Sequence, residues 1–250
     1  MKMLLSHQFP TLLIQALRFK KSSRYKKNLR FKYLTSLFLL FTFLPISADS
    51  LYVGDKPIPP AVQVVEAQTN LLLSELSDRK DEFTANPASL VDFAKTIALK
   101  HWDLTKASRL MLGPHWRKAS TDQRTAFEQE FLRTLLRYVV KAYGYYDDSL
   151  IDVVEYRWKP ARRGGWVLSK VEVPGGLKVN VDYRMESRKD SDHWRLIDVR
   201  VEGISLVGVK KSEYREMVMD EGFDALVAFM AEKNNKVLAP IFDEKVAATE

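Results

Sequence analysis

A chain of 250 residues with 46% hydrophobic and 28% charged residues has the length and balance of one globular domain, or one domain with a helical appendage. Its net charge of +7 suggests a nucleic-acid or anionic-membrane partner, but nine of the 39 Lys and Arg fall within residues 1–48, which hold no Asp or Glu. Residues 49–250 carry 30 basic against 32 acidic side chains, so the basic character belongs to the leader and no nucleic-acid partner is expected. Cysteine is absent, which excludes a lipidation cysteine, a disulfide framework and a thiolate metal site.

Residues 1–48 have the layout of a secretory signal peptide. A basic region ends at Lys32, the apolar run Leu34–Ile46 follows, and Ile46-Ser-Ala48 offers a small residue for cleavage before Asp49. The run is 13 residues long, short of the ~20 that a spanning helix requires. Residues 49–250 are then expected to form one soluble domain.

Helical signals dominate about residues 58–146. Pro57-Ile-Pro-Pro60 precedes Val62, Val65, Leu72 and Leu76 at helical spacing, and Asn86-Pro87 reads as an N-cap with proline at the first helical position. Asp103 is placed to cap a short helix that stops at Gly113-Pro114. Ser120-Thr-Asp122 opens what should be the longest helix, with Phe127, Phe131, Leu135, Tyr138 and Ala142 on one face. From about 149 to 207 the period changes to two, in the runs 150–158, 166–173, 177–187 and 194–207. Arg163-Gly-Gly165 and Pro174-Gly-Gly176 supply hairpin turns. Val179, Val181, Tyr183 and Met185 share one face of the third run; Ile197, Val199 and Val201 share one face of the fourth, opposite Asp198, Arg200 and Glu202. One apolar and one wet face follow. Two short helices within about 210–235 close the chain. The expected fold is α+β: an antiparallel curved sheet with helices laid on its apolar face, leaving a cone that side chains or a ligand can fill.

Sites for chemistry are few. His101, His115 and His193 lack metal-pair spacing and read as surface or capping residues. Ser205 lies in Gly203-Ile-Ser205-Leu-Val207, which lacks the second glycine of a nucleophile elbow. Asp147-Asp148 reads as a solvated turn. No metal, cofactor or catalytic residue is expected.

Trp102-Asp103, Leu112-Gly113, Trp116, Gln123-Arg124, Phe127 and Phe131 stand in an order and spacing that resemble the periplasmic phospholipid-binding proteins of the Mla pathway, the MlaC or toluene-tolerance family. The likeness continues at Trp194-Arg-Leu-Ile-Asp198, Gly203-Ile-Ser205, Tyr214 and Gly222-Phe-Asp-Ala-Leu226, and so covers about residues 60–232. It departs at Trp102, where Phe is commoner, and at the turn arginines Arg162 and Arg163, both expected outside the ligand pocket. The resemblance implies a fold related to nuclear transport factor 2 and a monomeric carrier in the periplasm of a Gram-negative bacterium. Its cargo would be phospholipid, with no other cofactor. Its partners would be an outer-membrane lipoprotein–porin complex and an inner-membrane ABC transporter with an MCE-domain subunit. Acyl tails would lie in the cone, against Phe131, Leu135 and Tyr138 on the helix and Val179, Val181, Tyr183, Ile197, Val199 and Val201 on the sheet. Two other readings remain: an enzyme of the same fold acting on a small apolar substrate, with Tyr138 or Tyr183 as proton donor, and a structural adaptor whose cone is filled by its own side chains.

Overall fold

The computed structural model describes residues 51–144, 152–173, 176–187 and 193–247. The leader, Asp147-Asp148 and most of the Pro174-Gly175 turn lie outside the described residues. Among the described residues six helices precede the sheet: α1 (Pro60–Asp78), α2 (Lys80–Ala85), α3 (Pro87–His101), α4 (Leu104–Leu112), α5 (Pro114–Lys118) and α6 (Thr121–Tyr143). Strands β1 (Asp152–Ala161), β2 (Gly164–Val173), β3 (Leu177–Ser187), β4 (Trp194–Val201) and β5 (Ile204–Ser205) follow, then α7 (Leu206–Asp220) and α8 (Phe223–Ala247). The strands form one antiparallel meander in the order β1-β2-β3-β4-β5, curved and not closed. The expected α+β class is the observed one.

The caps explain where the helices start. Asp103 accepts from the Lys106 amide at 2.9 Å at the head of α4. Ser120 and Gln123 form a reciprocal capping box on α6. Asn86 occupies the N-cap of α3, but its side chain makes no capping bond; Pro87 sets the first turn instead.

α1 lies across the sheet, and α4, α6 and α7 complete the cover. The aromatic residues of the motif knit this layer together: Phe127 meets the rings of Trp116, Tyr214 and Phe223 edge-on at 5.7–6.4 Å, and Phe131 meets Trp102 at 5.9 Å. A second, smaller cluster of Val91, Ala94, Leu136 and Leu238 joins α3, α6 and α8.

Three expectations on the elements need correction. The last run is not one strand: Glu202 and Gly203 take positive φ of 48° and 80°, the chain reverses, and helix begins at Leu206 rather than near 210. The final helix does not stop near 232–235. It continues through Asn234, Leu238 and Pro240 to Ala247, because Leu238 is buried in the second cluster and Asn234 bonds to Glu130. Among the described residues α8, at 25 residues, is longer than α6 at 23. The outer sheet face is polar but not uniformly wet, since Asp182 and Asp198 are both buried. Asp182 pairs with Arg200 at 2.6 Å, and Arg200 lies 4.2 Å from the Trp166 ring centre.

Candidate functional site

The register lines up the inner face in rows. Tyr156, Ser169, Val181 and Val201 form one row across β1–β4; Trp158, Val167, Tyr183 and Val199 form the next. Val153, Val171 and Val179 flank them on one side, with Met185 and Leu196 on the other. α1 lies across these rows, and in the same apolar cluster α6 contributes Phe127, Phe131, Leu135 and Tyr138 in a stripe at helical spacing. Eight of the nine expected lining residues therefore meet in one apolar cluster: Phe131, Leu135, Tyr138, Val179, Val181, Tyr183, Val199 and Val201.

Ile197 is the exception. A bulge between β3 and β4 sets Arg184 opposite Asp198 but Met185 opposite Leu196, so strict alternation fails at Ile197. Ile197 is fully buried yet stands outside the cluster, and Leu196 packs against it instead. Tyr156, Trp158 and Ser169 were missed, although the alternation of Tyr156 and Trp158 in β1 is a signal that could have found them. The Ser169 hydroxyl is spent on the Val181 carbonyl across the sheet.

Burial at the centre of the inner face is unusual. Val181, Tyr183 and Val199 lie on central strands under a helical cover, yet each keeps accessible surface, as does Tyr138. Tyr183 is at the same time surrounded by protein, and burial pushes its hydroxyl pKa up, with Thr69 and Ser169 opposing. These four side chains are thus among the less completely buried parts of the apolar cluster's sheet-to-helix contact. Tyr156 behaves oppositely: it is fully inaccessible, and burial raises its pKa, with Thr69 opposing. Both phenols are held protonated, as donors rather than bases.

The other motif residues make hydrogen bonds that tie elements of the fold together. The Asp103 amide donates to the Leu196 carbonyl at 2.8 Å, while Trp102 bridges Leu196, so the Trp-Asp pair fastens the helical layer to β4. Arg124 donates to the Trp116 and Arg117 carbonyls, and Gln123 reaches Asp224 at 2.9 Å. Gly113 takes φ of 55°, and a Cβ there would meet the Arg215 guanidinium at 2.2 Å. That guanidinium holds the Met111 and Leu110 carbonyls at the end of α4. Ser205 is the N-cap of α7: it accepts from the Gly208 amide at 2.7 Å and donates to Asp198 at 2.6 Å.

His193 is exposed, and His115 sits in α5. His101, the last residue of α3, is partly exposed; its Nε2 is buried without a partner, and burial lowers its pKa, helped by Lys100 and Arg195. Among the described residues no three His, Cys, Asp or Glu are grouped to hold a metal, and no helix is long and apolar enough to cross a membrane. The turn arginines Arg162 and Arg163 do line a cavity, of about 740 Å³, at the hairpin end of the sheet. Its other walls are Asp103, Lys106, Glu186 and Arg195, and Lys106 pairs with Glu186. This polar cleft is distinct from the apolar interior.

A curved open antiparallel sheet whose inner face is apolar and covered by helices defines the fold as an α+β domain. The profile of the MlaC protein family matches residues 66–232, and the chain belongs to that family. It is 25% identical over 162 residues to the toluene tolerance protein ttg2D of Pseudomonas putida, covering 64% of this chain and 74% of the relative. Among solved structures, it resembles the phospholipid-binding protein of Ralstonia solanacearum, determined in complex with a phospholipid. The TM-score is 0.59 and the identity 19%, over 70% of this chain and 97% of that one.

Proposed function

We propose that this protein carries phospholipid through the periplasm, enclosing the acyl chains between the sheet and α6. The observation that carries the reading is the accessible surface kept deep inside the apolar cluster at Val181, Tyr183 and Val199. The Mla-family membership and the phospholipid in the Ralstonia relative support it. The energetics call for such a device. Two acyl tails expose some 30 methylenes in water at ~0.8 kcal/mol each, roughly 20–25 kcal/mol. An apolar enclosure removes most of that penalty, so exchange with a membrane complex runs near balance. On this reading residues 1–48 direct export and are removed. A monomer passes lipid between an outer-membrane lipoprotein–porin complex and an inner-membrane ABC transporter with an MCE-domain subunit. No bond of the cargo is made or broken.

Organic extraction of the purified protein, followed by mass spectrometry, tests this directly. Intact two-tailed phospholipid in stoichiometric amount is the expected result. An empty extract would favour the structural adaptor, and a chemically altered lipid would favour an enzyme.

A further inference from the structure

Three cations sit on the border of the apolar cluster where α6, α7 and α8 meet. Arg137 lies 5.3 Å from the Tyr138 ring centre, Lys210 lies 5.2 Å from that of Tyr214, and Lys233 lies 3.9 Å from that of Phe229. All three rings pack in or against the cluster. The carboxylate that answers these charges is Glu213, and the two lysines share it. Lys210 pairs at 2.6 Å and Lys233 at 3.6 Å. Arg137 is 8% exposed, its Nε is buried without a hydrogen-bond partner, and among the described residues it makes no ion pair. Burial acts to lower the Lys210 pKa, but Tyr214, Tyr138 and Glu213 outweigh it and the pKa is raised. Burial lowers the pKa of Lys141 on the same helix, with the Arg137 charge adding to it, and burial likewise lowers that of Lys233, with Lys210 and Arg137 adding and Glu213 opposing.

A buried guanidinium without an anion is costly to the fold, because its lost hydration is not replaced. The hairpin cleft also gathers four basic side chains beside two carboxylates, Asp103 and Glu186, but it lies outside the apolar cluster. The Arg137 site adjoins that cluster through the Tyr138 ring. Its missing component is an anion that arrives with an apolar partner. Guanidinium donors suit phosphate oxygens, and a desolvated border strengthens each such bond.

We propose that Arg137, Lys210 and Lys233 seat the phosphate group of a phospholipid whose tails occupy the interior. This rests on the carrier reading and refines it, because it makes the carrier selective for a phosphate-bearing headgroup. The unpaired cation is then a stability cost kept for binding.

The test presents delipidated protein with an equimolar mixture of dioleoylphosphatidylglycerol and dioleoylglycerol, which share their tails and differ in the phosphate. Mass spectrometry reads the bound ratio. Wild type should retain about tenfold more of the phosphate-bearing lipid, or better, as one or two charge-assisted bonds provide. In Arg137→Met the ratio should fall toward unity with total bound lipid unchanged, and the lipid-free protein should melt no lower than wild type. Lys233→Met, at a more exposed position where folding is not at stake, should lower the ratio by a smaller factor. A wild type that binds both lipids equally, or variants that keep the wild-type ratio, would overturn the phosphate seat while leaving the carrier reading intact. A wild type that binds neither lipid would sink both. Inorganic phosphate that raises the melting temperature as much as phosphatidylglycerol does would assign the site to the free anion and overturn the lipid assignment.

Discussion

Asp198 offers the sharpest test of whether the polar motif residues build the fold or act on a ligand. Its carboxylate is buried, accepts the Ser205 hydroxyl at 2.6 Å and the Val207 amide at 3.0 Å, and so ties β4 to the first turn of α7. In Asp198→Ala both bonds are lost and the Val207 amide is left buried without an acceptor, a loss of about 1–3 kcal/mol. Release of the desolvated charge offsets part of this, so a net loss of about 2 kcal/mol is expected. For a domain of this size that lowers the melting temperature by roughly 4–8 °C. Asp198→Asn keeps one acceptor for Val207 and a donor for the Ser205 hydroxyl, and should lose about 1 kcal/mol or less.

The pH dependence carries a sign. Burial raises the Asp198 pKa, against the bonds from Ser205, Val207 and Val199 and the charge of Arg184. A raised folded-state pKa contributes stability that is complete below the unfolded value and is lost as pH rises through the folded value. The asparagine variant does not titrate, so the advantage of wild type over it should shrink as pH rises from acid toward neutral. Denaturant titrations at several pH values, with lipid content measured in parallel, provide the assay. An Asp198→Ala protein that melts with wild type but no longer holds lipid, or that abolishes a chemical conversion of it, would refute the architectural assignment. A difference between wild type and Asp198→Asn that is flat with pH would refute the electrostatic one.

Four further outcomes are expected. Val181→Trp and Val199→Trp should displace co-purified lipid while the protein remains folded, at an overpacking cost of ~1–3 kcal/mol; unchanged lipid in both would move the pocket elsewhere. Asp103→Ala should lose about 0.5–2 kcal/mol as a helix cap and keep its lipid at low temperature, as thermal melts beside lipid mass spectrometry will show. Gly164→Ala should disrupt the first hairpin, because φ is 140° and a Cβ would fall 2.1 Å from the Met185 carbonyl oxygen; circular dichroism on expressed protein reads the loss of fold. N-terminal sequencing of the periplasmic fraction should start near Asp49, and full-length chain in washed membranes would reject the leader reading.

Regular periodicity made much of the architecture legible in advance. Val179, Val181, Tyr183 and Met185 alternate cleanly because β3 pairs on both sides with few irregularities, and the α6 stripe keeps its 3.6-residue spacing. What escaped were departures from regularity that only partners define. The β4 bulge substitutes Leu196 for Ile197, and nothing local to Leu196-Ile-Asp198 announces it. Asn234-Asn235 and Pro240 look like stop signals, yet burial of Leu238 and the Glu130 bonds to Asn234 carry α8 through them. Arg137 reads as one more polar position on a helix; its isolation among cations depends on Lys210 and Lys233 from two other helices.

The two borders of the sheet bear on how such a protein survives at high concentration. An unpaired strand edge is a template for sticking to a second copy. β1, at one border, carries Arg157, Lys159 and Pro160, and the segment at Leu51–Val53 already takes up the amide and carbonyl of Tyr156. β5, at the other, is two residues long and passes directly into α7. Each border therefore offers a shortened or interrupted ladder to a neighbouring molecule. In a chain without cysteine, and so without disulfides, these covered and shortened borders are what limits edge-to-edge pairing with a second copy.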